Sequence, residues 1–226
     1  MPGAAARSQR YVLFDVAQYE QLNKQRRAIM FFLDLAINAQ RTLVLPRARL
    51  FGRVGGPMSS GLPAGPQRYV AWSALLNVSL MTELHPVIEL DQYLKLEHVS
   101  GGVPIDELII VGGATCAPRS GEAVTFNGIA GVGVDHSRCT HGMQYDINAV
   151  QASPSRALAF AGTTDQLEMG KALRMRPHVR FVQSVYDEAA SFVSRVFGPA
   201  RFVALHWRRT DFLRVRQSQP GVLQSA

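Results

Sequence analysis

Two clusters of residues in this chain have the types and spacing to hold an anionic ligand. Near the carboxyl end, Phe202-Val203-Ala204-Leu205-His206-Trp207-Arg208-Arg209-Thr210-Asp211-Phe212 is an apolar run that breaks into adjacent guanidiniums. Four apolar residues suit a buried strand. An arginine at its carboxyl end can fork onto two phosphate oxygens, which a lysine meets only as a point charge. Open α/β sheets bind ligands at that edge. Near the amino end, Glu20, Asn23 and Arg26 stand where a helical pattern begins. Asn23 and Arg26 are three apart, so a first helical turn sets them side by side, where backbone N–H groups lack partners and the helix end is partially positive. Each residue also has a structural reading: an ion pair for Arg208, a helix-dipole partner in Glu20, a cap in Asn23, a core position for His206. Arg209 points to the opposite face of the strand from Arg208, and Asp211 is a candidate acceptor for it.

The elements that must position these residues are partly legible. Tyr11–Val16 reads as a strand. After a short turn, Ile29, Met30, Leu33, Ala36 and Ile37 recur at helical spacing to Asn38, and residues 41–46 form a second strand closed by Pro46. This is a β-α-β unit, and the chain reads as α/β. Further on, residues 52–68 are expected to be a Gly/Pro-rich loop, 75–84 a helix or a short strand plus turn, 86–90 and 106–111 strands, and 112–133 irregular. Val179, Val182, Val185, Ala189, Phe192, Val193 and Val196 make an apolar stripe at helical spacing, stopped by Gly198-Pro199.

Composition narrows the function classes. At 226 residues and 47% hydrophobic, the chain has ample material for a core. Its net charge is +7, but 21 of its 24 basic residues are dispersed arginines, with no lysine-rich arm or nucleic-acid motif, so nucleic acid is not an expected partner. No apolar run approaches the roughly 20 residues that a membrane span requires. Asn77-Val78-Ser79 is a glycosylation sequon, in apolar surroundings that argue against its occupancy. His136, Cys139 and His141 with Cys116 match no standard zinc-finger spacing.

Several separated segments resemble one family in its order: the strand ending in Asp15-Val16, the Glu20-x-x-Asn23 turn, Asn38-Ala39-Gln40-Arg41-Thr42-Leu43-Val44-Leu45-Pro46, Pro86-Val87-Ile88-Glu89, Gly101-Gly102-Val103-Pro104-Ile105-Asp106 and His206–Phe212. Together they resemble the GDP-fucose protein O-fucosyltransferases, most closely the type 2 enzymes that modify thrombospondin repeats. The resemblance implies a GT-B arrangement of two Rossmann-like domains across a cleft. It also implies inverting transfer of fucose from GDP-fucose to Ser or Thr of a folded, disulfide-bonded repeat, thrombospondin type 1 rather than EGF-like. Catalysis would need no metal and no cofactor. On this reading Arg208 contacts the donor diphosphate, Asn23, Arg26, His206 and Asp211 line the donor site, and Glu20 is the general base that deprotonates the acceptor hydroxyl. Gln21 stands where the family usually has glycine, and a side chain there crowds the donor or shifts the turn.

The domain boundaries implied are a disordered tail over 1–10, an amino-terminal Rossmann-like domain over 11–200, and over 201–226 the start of a carboxyl-terminal nucleotide-sugar domain that is mostly missing. The chain is therefore read as an amino-terminal half, a fragment or truncated gene model. A monomer is expected. The family setting implies the endoplasmic reticulum and a Cys116–Cys139 disulfide, although residues 1–10 hold no apolar signal-peptide core. The alternative from a different class is a non-catalytic half-domain that serves as an anion-binding or interaction module.

Overall fold

The structure, a computed structural model, describes residues 9–14, 22–51, 67–97, 102–112, 125–126, 129–132, 136–141, 147–162, 173–199 and 203. In chain order its elements are β1 (Tyr11–Phe14), α1 (Leu22–Ala39), β2 (Thr42–Leu45), β3 (Ala48–Phe51), β4 (Gln67–Val70), α2 (Val78–Leu84), β5 (Val87–Glu89), α3 (Leu90–Leu96), β6 (Val103–Pro104), β7 (Glu107–Gly112), β8 (Thr125–Phe126), β9 (Ile129–Val132), β10 (His136–His141), α4 (Ile147–Ala152), β11 (Ala157–Gly162) and α5 (Gln183–Phe197). Short 3-10 turns occupy Trp72–Ala74 and Leu173–Met175.

Six strands form a parallel sheet in the order β10-β7-β11-β1-β2-β5. The fold is α/β and Rossmann-like, as the sequence led us to expect. A parallel sheet must be covered on both faces, and side chains alternate between them. Val12 and Phe14 of β1, Leu43 and Leu45 of β2, and Leu158 and Phe160 of β11 pack under α1 with Ile29, Phe32, Leu33 and Ala36. Tyr11 and Leu13, Val44, and Ala157 and Ala159 face the other layer with Leu90 and Tyr93 of α3.

The tightest link between α1 and the sheet is aromatic. Phe32 is fully buried; its ring stacks on Phe14 at 4.2 Å and lies 5.3 Å from Phe160. Phe14 ends β1, so this contact sets where α1 sits relative to the carboxyl edge of the sheet.

The Asn38-Ala39-Gln40-Arg41 segment closes α1 and opens β2. The Arg41 N–H donates to the Ala36 carbonyl at 3.0 Å and the Gln40 N–H to the Ile37 carbonyl at 3.2 Å, the paired bonds of a Schellman cap. Such a cap needs a left-handed residue, and Gln40 has φ 54°. Glycine holds that conformation without the Cβ penalty, so Gln40→Gly is expected to raise stability by about 0.5–1 kcal/mol. A urea titration reads this as a higher midpoint at unchanged slope, and a lower midpoint would contradict it.

Arg41 then disappears into the fold. It is 1% exposed, and its guanidinium donates to the carbonyls of Val150 (3.2 Å), Ser153 (2.7 Å) and Ser155 (2.7 Å), with longer contacts to those of Tyr11 and Arg156. It therefore ties the end of α4 and the following turn to the amino-terminal edge of β1 and β2. Alongside, the buried Glu107 carboxylate accepts hydrogen bonds from the Ser153 and Ser155 hydroxyls.

On the opposite face, Tyr93 donates to the Pro104 carbonyl at 2.9 Å and packs edge-on against Tyr11. Burial, reinforced by the Glu97 carboxylate, raises both phenols above their ordinary value of 10.0. The sign follows. Above pH 10 the unfolded chain releases phenolic protons that the folded chain retains, so stability present below pH 10 falls as pH rises beyond it. Melting temperatures measured from pH 8 to 11 are expected to drop at the alkaline end, and Tyr93→Phe to flatten that drop. An equal drop in both proteins would exclude Tyr93 as its source.

Four expectations are corrected. Gln9 and Arg10, assigned to a disordered tail, are bonded to the Thr42 hydroxyl (2.8 Å) and the Gln151 carbonyl (3.1 Å). The loop assigned to 52–68 gives way at Gln67 to β4, which pairs antiparallel with β3. The stretch assigned as irregular over 112–133 contains β8 and β9. Val179 and Val182, counted on the last helical stripe, precede α5, because Pro177 cannot donate within a helix and segment 179–182 pairs with 75–77 instead. The rest of that stripe is on α5 as expected, yet no residue of α5 is buried: Phe192 is 50% and Val196 53% exposed.

Candidate functional site

Because β1 and β2 are parallel, the helix joining them must run back antiparallel to both. The first turn of α1 therefore lies at the carboxyl edge of the sheet, beside the end of β1, where open α/β sheets take ligands. No acidic residue sits in that turn to offset the positive end of the helix dipole.

The turn is held from two sides. Gln25 is 1% exposed, and its amide mimics a strand: Nε2 donates to the Arg49 carbonyl at 2.8 Å while Oε1 accepts from the Arg49 N–H at 2.9 Å. This fixes the β3-β4 hairpin against the mouth of α1. Arg26 reaches the other way. Its Nε and Nη2 donate to the Val179 carbonyl at 2.8 and 2.5 Å, and its guanidinium lies 5.1 Å over the Phe181 ring. Burial lowers its pKa from the ordinary value, with Tyr186 opposing and the Arg176 charge adding to the effect. It nonetheless stays a cation at neutral pH.

Segment 174–182 runs along α1 as a strap. Arg174 pairs with the Asp34 carboxylate in mid-helix, Val179 is buried, and Phe181 bridges to Leu76. The Asn77 N–H donates to the Arg180 carbonyl and the Val182 N–H to the Leu75 carbonyl. The strap is thus wedged between α1 and residues 75–77 before α5 starts.

Of the residues selected from sequence, Asn23 and Arg26 share the first turn of α1 as expected, Asn23 exposed and Arg26 half-buried. Two nitrogens of Arg26 are committed to Val179, which leaves Nη1 as the edge it could turn to a ligand. Glu20, Gln21, His206, Arg208 and Asp211 lie outside the described residues, as does Cys116. Sequence reasoning passed over Gln25, since a glutamine in a polar first turn carries no mark of burial. It also passed over the strap, whose one local mark is Pro177. Among the described residues no group of three or more His, Cys, Asp or Glu could hold a metal ion, and no helix is long and apolar enough to cross a membrane.

Comparison with known proteins agrees with this architecture. The chain superposes on POFUT1 in complex with GDP-fucose with a TM-score of 0.63 at 15% identity, covering 92% of this chain and 62% of that one. It superposes on POFUT1 in complex with GDP with a TM-score of 0.66 at 17% identity, covering 92% and 62%. Against POFUT1 in its apo form the TM-score is 0.65 at 16% identity, with 93% and 62% covered. The chain thus spans about 62% of the length of these solved relatives. No curated protein sequence matches it. The sequence profile of the GDP-fucose protein O-fucosyltransferases matches residues 11–223, nearly the whole chain, and the protein belongs to that family.

Proposed function

We propose that this chain acts as part of a peptide-O-fucosyltransferase, which transfers fucose from GDP-fucose with inversion to Ser or Thr of a folded, disulfide-bonded repeat. The observation that carries the reading is the family match over 11–223, on a fold whose solved relatives include POFUT1 in complex with GDP-fucose. The placement of Asn23 and Arg26 at the carboxyl edge of a parallel sheet supports it.

In this mechanism the chain's own cations do the electrostatic work. Arg208 holds the diphosphate as negative charge develops on the departing GDP, and a preorganised charge contributes most at that moment. Asn23, the free edge of Arg26, His206 and Asp211 orient the donor. Glu20 accepts the proton of the acceptor hydroxyl as its oxygen attacks the anomeric carbon. Neither a metal nor a cofactor takes part. The acceptor is a thrombospondin type 1 repeat rather than an EGF-like one, because Glu20 matches the type 2 pattern. The GT-B partner domain, a Cys116–Cys139 bridge and residence in the endoplasmic reticulum belong to the same reading.

The experiment is transfer from radiolabelled GDP-fucose to folded thrombospondin and EGF-like repeats, with GDP binding followed by calorimetry. Label on the thrombospondin repeat is the expected result, and label on the EGF-like repeat alone would reverse the acceptor assignment. The second reading, a non-catalytic module, is favoured by Gln21 in place of glycine. GDP binding without transfer to either repeat would establish that second reading.

A further inference from the structure

Asn77-Val78-Ser79 is the chain's one Asn-x-Ser/Thr sequence, and no proline stands within it or directly after it. Its apolar neighbours argued for burial; the structure separates them from it. Leu76 and Met81 are fully buried and Val78 packs partly against the core, while Asn77 and Ser79 are exposed. The period of the α2 start explains the split, because Val78 and Met81 are three apart on the inward face and Ser79 falls outside it.

Asn77 is the N-cap residue of α2, at φ −74° and ψ 85°, a position where asparagine usually accepts a hydrogen bond from the helix backbone. Here it makes no such bond. Its main chain is anchored by the N–H donated to Arg180 at 2.8 Å, but among the described residues nothing engages its carboxamide or the Ser79 hydroxyl. The backbone is thus held by the strap while the side chain is left to solvent.

We infer that Asn77 is an N-glycosylation site, an acceptor for an oligosaccharide delivered as a lipid-linked diphosphate. The carboxamide Nδ2 forms a bond to the anomeric carbon of the first sugar, the bond from that carbon to the phosphate oxygen breaks, the lipid diphosphate leaves and one amide proton is released. Because the side chain gives up no cap bond, the attached glycan disturbs neither α2 nor the strap. The inference rests on the secretory setting of the function proposed above.

The test places the full 226-residue chain behind a cleavable signal sequence and translates it into microsomes. The expected result is a protease-protected band of raised apparent mass that an endoglycosidase returns to the unmodified size. Asn77→Gln and Ser79→Ala should abolish the shift completely, Ser79→Thr should keep it, and Asn77→Gln should leave the melting temperature unchanged. A protected chain without the shift, or a shift that survives Asn77→Gln, overturns the inference. Separately, failure of transfer to either repeat would defeat the function on which the secretory setting rests, while acceptor competence is still decided by the signal-bearing chain.

Discussion

Glu20→Ala is expected to leave GDP-fucose affinity within about twofold while slowing transfer by about 10²–10⁴-fold, the usual contribution of a positioned general base. Arg208→Ala is expected to do the reverse in kind. Losing a forked, charge-assisted contact to the diphosphate costs about 3 kcal/mol of binding, roughly 100-fold in affinity, before any effect on turnover. The pair therefore separates two roles that a single loss of activity would confuse. Calorimetry with GDP-fucose and a transfer assay on the same preparations read both. Full turnover by Glu20→Ala would remove it as base, and unaltered GDP-fucose affinity in Arg208→Ala would return that arginine to a structural ion pair.

Arg41→Ala is expected to cost about 4 kcal/mol of folding stability, with no role in the chemistry. Three carbonyls at 2.7–3.2 Å, two of them buried and that of Ser155 part-buried, lose their main donor, and each such group left unpaired costs about 1–3 kcal/mol, partly offset by removing a buried charge. Arg41→Lys should recover only part of this. An ammonium cannot reach the carbonyls of Val150, Ser153 and Ser155 together as the planar fork does. Urea unfolding measures all three proteins, and a loss below about 1 kcal/mol in Arg41→Ala would mean that water refills the site. Arg41 belongs to a segment on which the family resemblance rests, yet its work in the fold is at the edge of the sheet opposite the candidate site.

The first half of the sheet was legible because its strands are short apolar runs between breakers. Tyr11–Phe14, Thr42–Leu45 and Val87–Glu89 all fall where the sequence placed them, within a residue or two. β10 was not legible: His136-Ser137-Arg138-Cys139-Thr140-His141 has no apolar run, and its strand identity comes from pairing with β7. The β3-β4 hairpin was missed for a related reason, since turn-rich composition extends to the residue before β4 and hides its start.

From sequence alone came an expectation of the site's chemical class: arginines, an asparagine and a carboxylate at expected strand ends and one helix start, on an α/β pattern that suits a phosphate-bearing donor. Those features are local, and local spacing encodes them. Only the tertiary structure decided which of the polar groups hold the fold together. Arg26 donates to a carbonyl 153 residues away, Arg41 to carbonyls more than 100 residues away, and Gln25 to the backbone of β3. It likewise decided that Asn77 faces solvent although its neighbours face the core. A polar side chain's role is set by what the chain brings beside it from far away, and no periodicity in its own neighbourhood records that partner.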